Sequence, residues 1–232
     1  MKKLLISTCL IAASLIATAG KMNATLITYS GTVGGQSANA TINATFGLNS
    51  LTIIASGMTA NPTSVVQALS AIDFSVLGGL TGTLSSVSGQ LITIAANKSF
   101  TNTVGTPIWA QSGPGFYTTA IGVGPSSPDH LLIGAPNGLN LYSNANGGIA
   151  GNGPHNPFVG QTLTLVYNIT GATANSALAS LELQFGTTAS NEFRVNITNR
   201  IPPNEQGVPE PSTAVFALAG FGAIAFWRTR KK

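Results

Sequence analysis

A chain of 232 residues is long enough to bury a sizeable core, and a composition that is 44% apolar with only 7% charged side chains excludes a disordered or charge-patterned coiled-coil protein. The formal charge of +4 sits at the two ends: between the first 19 residues and Val208, Lys21, Lys98, Arg194 and Arg200 face Asp73, Asp129, Glu182, Glu192 and Glu205, a net of −1. The pI near 9.5 is therefore a property of the termini, and a basic nucleic-acid-binding surface is excluded.

The chain opens with Lys2-Lys3, an apolar run from Leu4 to Ile16 and the small triplet Ala17-Thr18-Ala19. These are the n-, h- and c-regions of a secretory signal peptide, expected to span residues 1–19. A second cleavage site after Ala24 stays open, although Met22 at its −3 position is larger than signal peptidase usually accepts. Cys9, the one cysteine, lies in the h-region and leaves with the leader. The mature chain then has no disulfide, thiolate metal site or cysteine nucleophile, and its stability must come from a core.

Residues 25–201 read as strands. Asn39–Phe46 alternates strictly, with Ala40, Ile42, Ala44 and Phe46 on one face and Asn39, Thr41, Asn43 and Thr45 on the other. The same period of two returns in Leu163/Leu165/Tyr167/Ile169, in Ala179/Leu181/Leu183/Phe185 and in Phe193/Val195/Ile197. Weaker strands are Leu26–Thr32, Leu51–Ala55, Ile72–Leu77 and Leu91–Ala95. Val65, Leu69, Ile72 and Val76 also fit helical spacing after Asn61-Pro62-Thr63-Ser64, so a short helix ahead of the Ile72 strand is the alternative there. Short strands closed by Gly, Asn and Pro imply an all-β, antiparallel β-sandwich.

Within that domain residues 103–158 form a loop-rich insertion, in which seven prolines and many glycines break every apolar run. Its aromatic residues sit beside the breaks. Trp109, Tyr117, Tyr142 and His155 are the candidate glycan contacts, since rigid aromatic rings with a polar edge suit a sugar ring. The plainer reading has Trp109 and Phe116 capping one end of the core.

Sites for catalysis are sparse. His130 and His155 are the only histidines, and Asp129 points away from His130 on an extended chain. Ser112 lacks the Gly-x-Ser-x-Gly elbow, the carboxylates Glu182 and Glu192 have no required pairing, and no acidic calcium loop is present. No catalytic residue, metal ligand or cofactor is expected, and the chain reads as a non-enzyme.

After a linker at residues 202–207, the segment 208–232 has three parts: Val208-Pro209-Glu210-Pro211-Ser212, an apolar run Ala214–Trp227, and the basic cluster Arg228, Arg230, Lys231 and Lys232. The two prolines hold Glu210 on a stiff, non-helical backbone. The 14-residue apolar run reaches about 21 Å as a helix, against a hydrocarbon core of ~30 Å, so it makes a short single transmembrane helix suited to temporary anchoring. The basic cluster is expected to stay cytoplasmic, which leaves the body on the far side of the inner membrane.

These three parts, in this order, resemble the PEP-CTERM sorting domain, which exosortases read in Gram-negative bacteria that make extracellular polysaccharide. The segment Gly151–Phe158 with Leu183–Thr187 is similar to a recurrent body domain of such proteins, one without assigned activity. The resemblance implies that this chain is an exosortase substrate, handled first by signal peptidase, held transiently in the inner membrane, then passed to the cell surface or matrix. The expectation that follows is a structural or adhesive component of the exopolysaccharide layer of a biofilm, with exopolysaccharide as partner. The alternatives are a carbohydrate-binding module at the surface and, more distantly, a polysaccharide-acting enzyme.

Overall fold

A computed structural model describes residues 24–113, 115–121, 128–143, 148–187 and 194–197. The expected leader (1–19), linker (202–207) and sorting segment (208–232), with its motif and basic cluster, lie outside the described residues. The described part is all-β, and residues 23–204 make one compact unit.

Strands β1 (Ala24–Val33) and β2 (Gln36–Gly47) form a hairpin in unbroken register, from Val33 opposite Gln36 to Ala24 opposite Thr45. Gly34 and Gly35 both have positive φ, as the tight two-residue turn between twisted strands requires. β3 (Ser50–Ser56) continues the meander antiparallel to β2. The strict alternation of β2 is realised in full: Ala38, Ala40, Ile42, Ala44 and Phe46 are wholly buried.

The helix-or-strand choice before Ile72 resolves into both. A single 3-10 turn, Val65–Gln67, is capped by Ser64, and β4 (Leu69–Val76) begins two residues later. Gln67 closes the capping box: its carboxamide oxygen accepts from Thr63 N–H (2.8 Å) and Ser64 N–H (3.3 Å), while its NH₂ donates to Ser37 O (2.7 Å). One buried side chain thus satisfies the turn and ties it to the start of β2.

β5 runs from Gly82 to Ile94, far longer than the expected Leu91–Ala95. Its first half, Thr83 to Gln90, lacks a buried apolar row and owes its place to backbone pairing along β10 (Phe158–Ile169). β6 (Phe100–Thr103) pairs with the end of β5. β11 (Leu178–Phe185) lies antiparallel to β4, and β12 (Arg194–Ile197) to β11. In β11 the register shifts between Leu178 and Ser180, so Leu178 is buried in place of the expected Ala179, while Leu181, Leu183 and Phe185 keep their inward positions.

The loop-rich segment 103–158 is woven into the sheet. It supplies β7 (Trp109–Gln111), β8 (Thr118–Ala120) and β9 (Leu132–Ile133). β8 adds to β4, and β9 bridges β4 on one side and β10 on the other. The β9–β10 pair is parallel where the other pairs are antiparallel, so the expected purely antiparallel arrangement is corrected to a mixed sheet. Hydrogen bonding runs without interruption in the order β1-β2-β3-β10-β9-β4-β11-β12.

Inward rings join the strands on either side of β9. Phe74 of β4 packs edge-on to Tyr167 of β10 at 5.1 Å and stacks on Phe116 at 4.4 Å, while Tyr29 of β1 meets Phe185 of β11 at 5.7 Å. Tyr167 shares a 2.7 Å hydrogen bond with the Thr118 hydroxyl, both groups fully buried.

Candidate functional site

Of the four aromatic and imidazole candidates, Trp109 and Tyr142 are buried and Tyr117 and His155 are half-buried. Trp109 is 4% exposed and its indole N–H donates to His130 O at 2.8 Å. Tyr142 is wholly buried, packs edge-on to Phe100 at 5.6 Å and donates to Gly134 O at 2.9 Å; burial pushes its hydroxyl up to about 12. Tyr117 is half-buried, with its hydroxyl donating to Gln184 Oε1 at 3.0 Å. His155 ends a 3-10 turn, Gly153–His155, and its Nδ1–H donates to Pro128 O at 2.8 Å. Trp109 and His155 therefore meet the same stretch, 128–130, while Tyr117 and Tyr142 are held elsewhere. Tyr142 is enclosed, whereas Trp109, though 4% exposed, lines an open groove beside β5.

Asp129 and His130, both 6% exposed, form the polar centre of that stretch. His130 adopts a left-handed φ of 58°, and its Nδ1 accepts from Ile108 N–H at 2.7 Å. An accepting Nδ1 fixes the neutral tautomer with the proton on Nε2. Burial lowers the His130 pKa and neighbouring Asp129 partly opposes it. Asp129 Oδ1 is buried with no hydrogen-bond partner. No group of three or more His, Cys, Asp or Glu suited to a metal occurs among the described residues. Glu182 stands opposite Asp73 across β11 and β4, with both side chains half-exposed, and Glu192 lies outside the described residues.

Two surface features remain. One is an open groove of about 1000 Å³ between the start of β5 and β7, lined by residues that include Thr81, Thr83, Leu84, Gln111 and Asn168. The Gln111 carboxamide is committed there to the β5 edge: it accepts from Leu84 N–H at 2.6 Å and donates to Gly82 O at 3.0 Å.

The other is the outward face of β1, β2, β3, β10 and β5. None of these strands contains a Lys, Arg, Asp, Glu or His. Register lines up Thr45, Thr52, Val166 and Ser86 in one row, Asn43, Ile54, Thr164 and Ser88 in the next, and Ser50, Asn168 and Thr83 in a third. The alternation of β2 marks Asn39, Thr41, Asn43 and Thr45 as outward from sequence, but only cross-strand pairing assembles them with β10 and β5 into a hydroxyl- and amide-bearing surface.

Among the described residues no helix is long and apolar enough to cross a membrane. Comparison with curated proteins finds no match, and comparison with solved structures finds none either. A family model described as the PEP-CTERM protein-sorting motif matches residues 207–231, the segment in which the Val208–Ser212 motif, the apolar run and the basic cluster were read. The chain carries a PEP-CTERM protein-sorting motif, the mark of an exported protein that an exosortase sorts.

Proposed function

We propose that this exosortase-sorted protein acts without catalysis, as a structural or adhesive component of the extracellular polysaccharide layer, through the outward face of β1, β2, β3, β10 and β5. In this reading signal peptidase cuts after Ala19, the Ala214–Trp227 helix holds the chain briefly in the inner membrane, and the body ends at the cell surface or in the matrix. The observation that supports it is the absence of charge from all five strands together with their rows of Thr, Ser and Asn. A neutral polysaccharide presents hydroxyls and apolar ring faces. Hydroxyl and amide side chains exchange hydrogen bonds with it at a small desolvation cost, whereas a charge would have to be stripped of water for no ionic partner. Each contact is weak, and repetition along a polymer supplies the avidity.

Co-sedimentation of the surface-released protein with insoluble exopolysaccharide tests the proposal. Retention is expected to change less than twofold between 0.05 and 1 M salt, roughly as screening of absent charges requires. It is expected to fall at least tenfold, by about 1.4 kcal/mol or more, when Thr52 and Thr164 are both replaced by lysine. Equal retention of that double variant would reject the face as the contact surface.

The groove beside Gln111 supports a second reading, a carbohydrate-binding module, because Thr81, Thr83 and Asn168 bring polar groups to one concave site. A groove binder takes up short soluble oligosaccharides in calorimetry. A flat face that works by avidity binds only polymer.

A further inference from the structure

Taking the groove between the start of β5 and β7 as a carbohydrate site, the second reading above, we infer that it selects a neutral glycan of N-acetylated amino sugars, with the Asn168 carboxamide reading the acetamido group. Register sets Asn168 of β10 directly opposite Thr83 of β5, and both side chains stand exposed at the groove. Thr81 and Thr170, one residue beyond each strand, line it beside them. None of these four side chains has a hydrogen-bond partner among the described residues, unlike the paired surface hydroxyls of Thr93 with Thr103 or Ser75 with Ser180. The groove thus concentrates hydrogen-bonding capacity that the fold itself does not use.

The backbone edge of β5 at this point is spent. The Gln111 carboxamide accepts from Leu84 N–H at 2.6 Å and places its two protons on Gly82 O at 3.0 Å and Gly115 O at 2.7 Å. An extended peptide therefore finds no open ladder at Gly82 and Leu84, and recognition falls to the side chains. No residue lining the groove is charged, so a uronate, a sulfated sugar or a free amino sugar would give up water without gaining an ionic partner. An acetamido group is neutral and carries one N–H donor, one carbonyl acceptor and a methyl. The unspent Asn168 carboxamide offers the matching acceptor and donor, and the half-buried Leu80, Leu84 and Ala110 offer an apolar wall to the methyl. The hydroxyls of Thr81, Thr83 and Thr170 are left for those of the sugar ring. A plain hexose presents hydroxyls alone and leaves the apolar wall uncovered.

Calorimetry on the surface-released protein tests this with three tetrasaccharides of identical linkage: one of N-acetylglucosamine, its glucose counterpart, and its cationic de-N-acetylated counterpart. The acetylated oligomer is expected to bind at least tenfold more tightly than either of the others. Asn168→Ala and Asn168→Asp, both at an exposed position, are each expected to cut its preference over the glucose oligomer to less than twofold while leaving the urea midpoint unchanged. A preference below tenfold in the parent overturns the acetamido assignment and leaves the groove a carbohydrate site. Binding of none of the three oligomers overturns the carbohydrate reading and this assignment with it. A tenfold preference retained by either folded variant overturns Asn168 as the reading group.

Discussion

The buried polar residues are where single side chains matter most. His130 is held neutral by burial and by the Ile108 N–H that its Nδ1 accepts. Protonating it in the folded state would charge a buried ring and break that bond, whereas the unfolded chain takes up the proton freely below pH ~6.5. The unfolded state then binds more protons, so stability is full above pH ~6.5 and falls as pH drops towards the lowered folded value. His130→Asn supplies a substitute acceptor and tolerates the left-handed backbone. It is expected to flatten the dependence of the urea midpoint between pH 8 and 5; an unchanged slope counts against His130 as the source. Tyr167 is a second such position. Tyr167→Phe leaves the buried Thr118 hydroxyl unpaired and should cost about 1–3 kcal/mol by urea denaturation.

Elements in this chain are joined by side chains as much as by ladders. The 3-10 turn Val65–Gln67 has too few backbone bonds to persist alone, and Gln67 both completes its cap and reaches Ser37 O at the start of β2. Gln67→Ala exposes two turn N–H groups and one strand carbonyl to an unfilled pocket, an expected loss of about 2 kcal/mol in a denaturant titration. Gln67→Glu keeps the acceptor but loses the donor, and is expected to fall between the two. β9 shows the same economy at its end: Gly134 passes so close to the carbonyls of Met58 and Thr59 that an added Cβ collides with backbone. Gly134→Ala is expected to destabilise by more than the ~1 kcal/mol of an average point substitution, because backbone must move. A thermal melt within a degree of the parent would show that the loop yields freely.

For the molecule as a whole, the sorting motif separates location from the work of the body. On the proposed reading, replacing Pro209, Glu210 and Pro211 by alanine removes two residues that disfavour helix and is expected to let a helical anchor extend back over the motif. That variant is expected to accumulate in the inner membrane, while deletion from Val208 onward gives a soluble periplasmic body, since the buried core among the described residues ends at Phe185. Fractionation distinguishes these outcomes, and equal surface delivery of the alanine variant and parent would falsify the motif as the signal that is read.

Sequence by itself determined the address and the strand faces. The sorting segment is contiguous, so its three parts are legible without any fold, and the alternation of β2 and β10 dictates burial because side chains on a strand leave by opposite faces. Tertiary structure decided what depends on pairing between distant residues. Trp109 and Tyr142 look like loop aromatics open to a ligand, yet Trp109 sits on β7 paired with β8 and bonded to His130 O, and Tyr142 packs on Phe100 and bonds Gly134 O, so both are buried by contacts with residues distant in sequence. The first half of β5 has little apolar signal, and hydrogen bonds from β10 make it a strand. A bulge in β11 moved burial from Ala179 to Leu178. The charge-free face exists only once register aligns Asn43 with Ile54 and Thr164, because hydrogen-bond register is a long-range property that local periodicity does not encode.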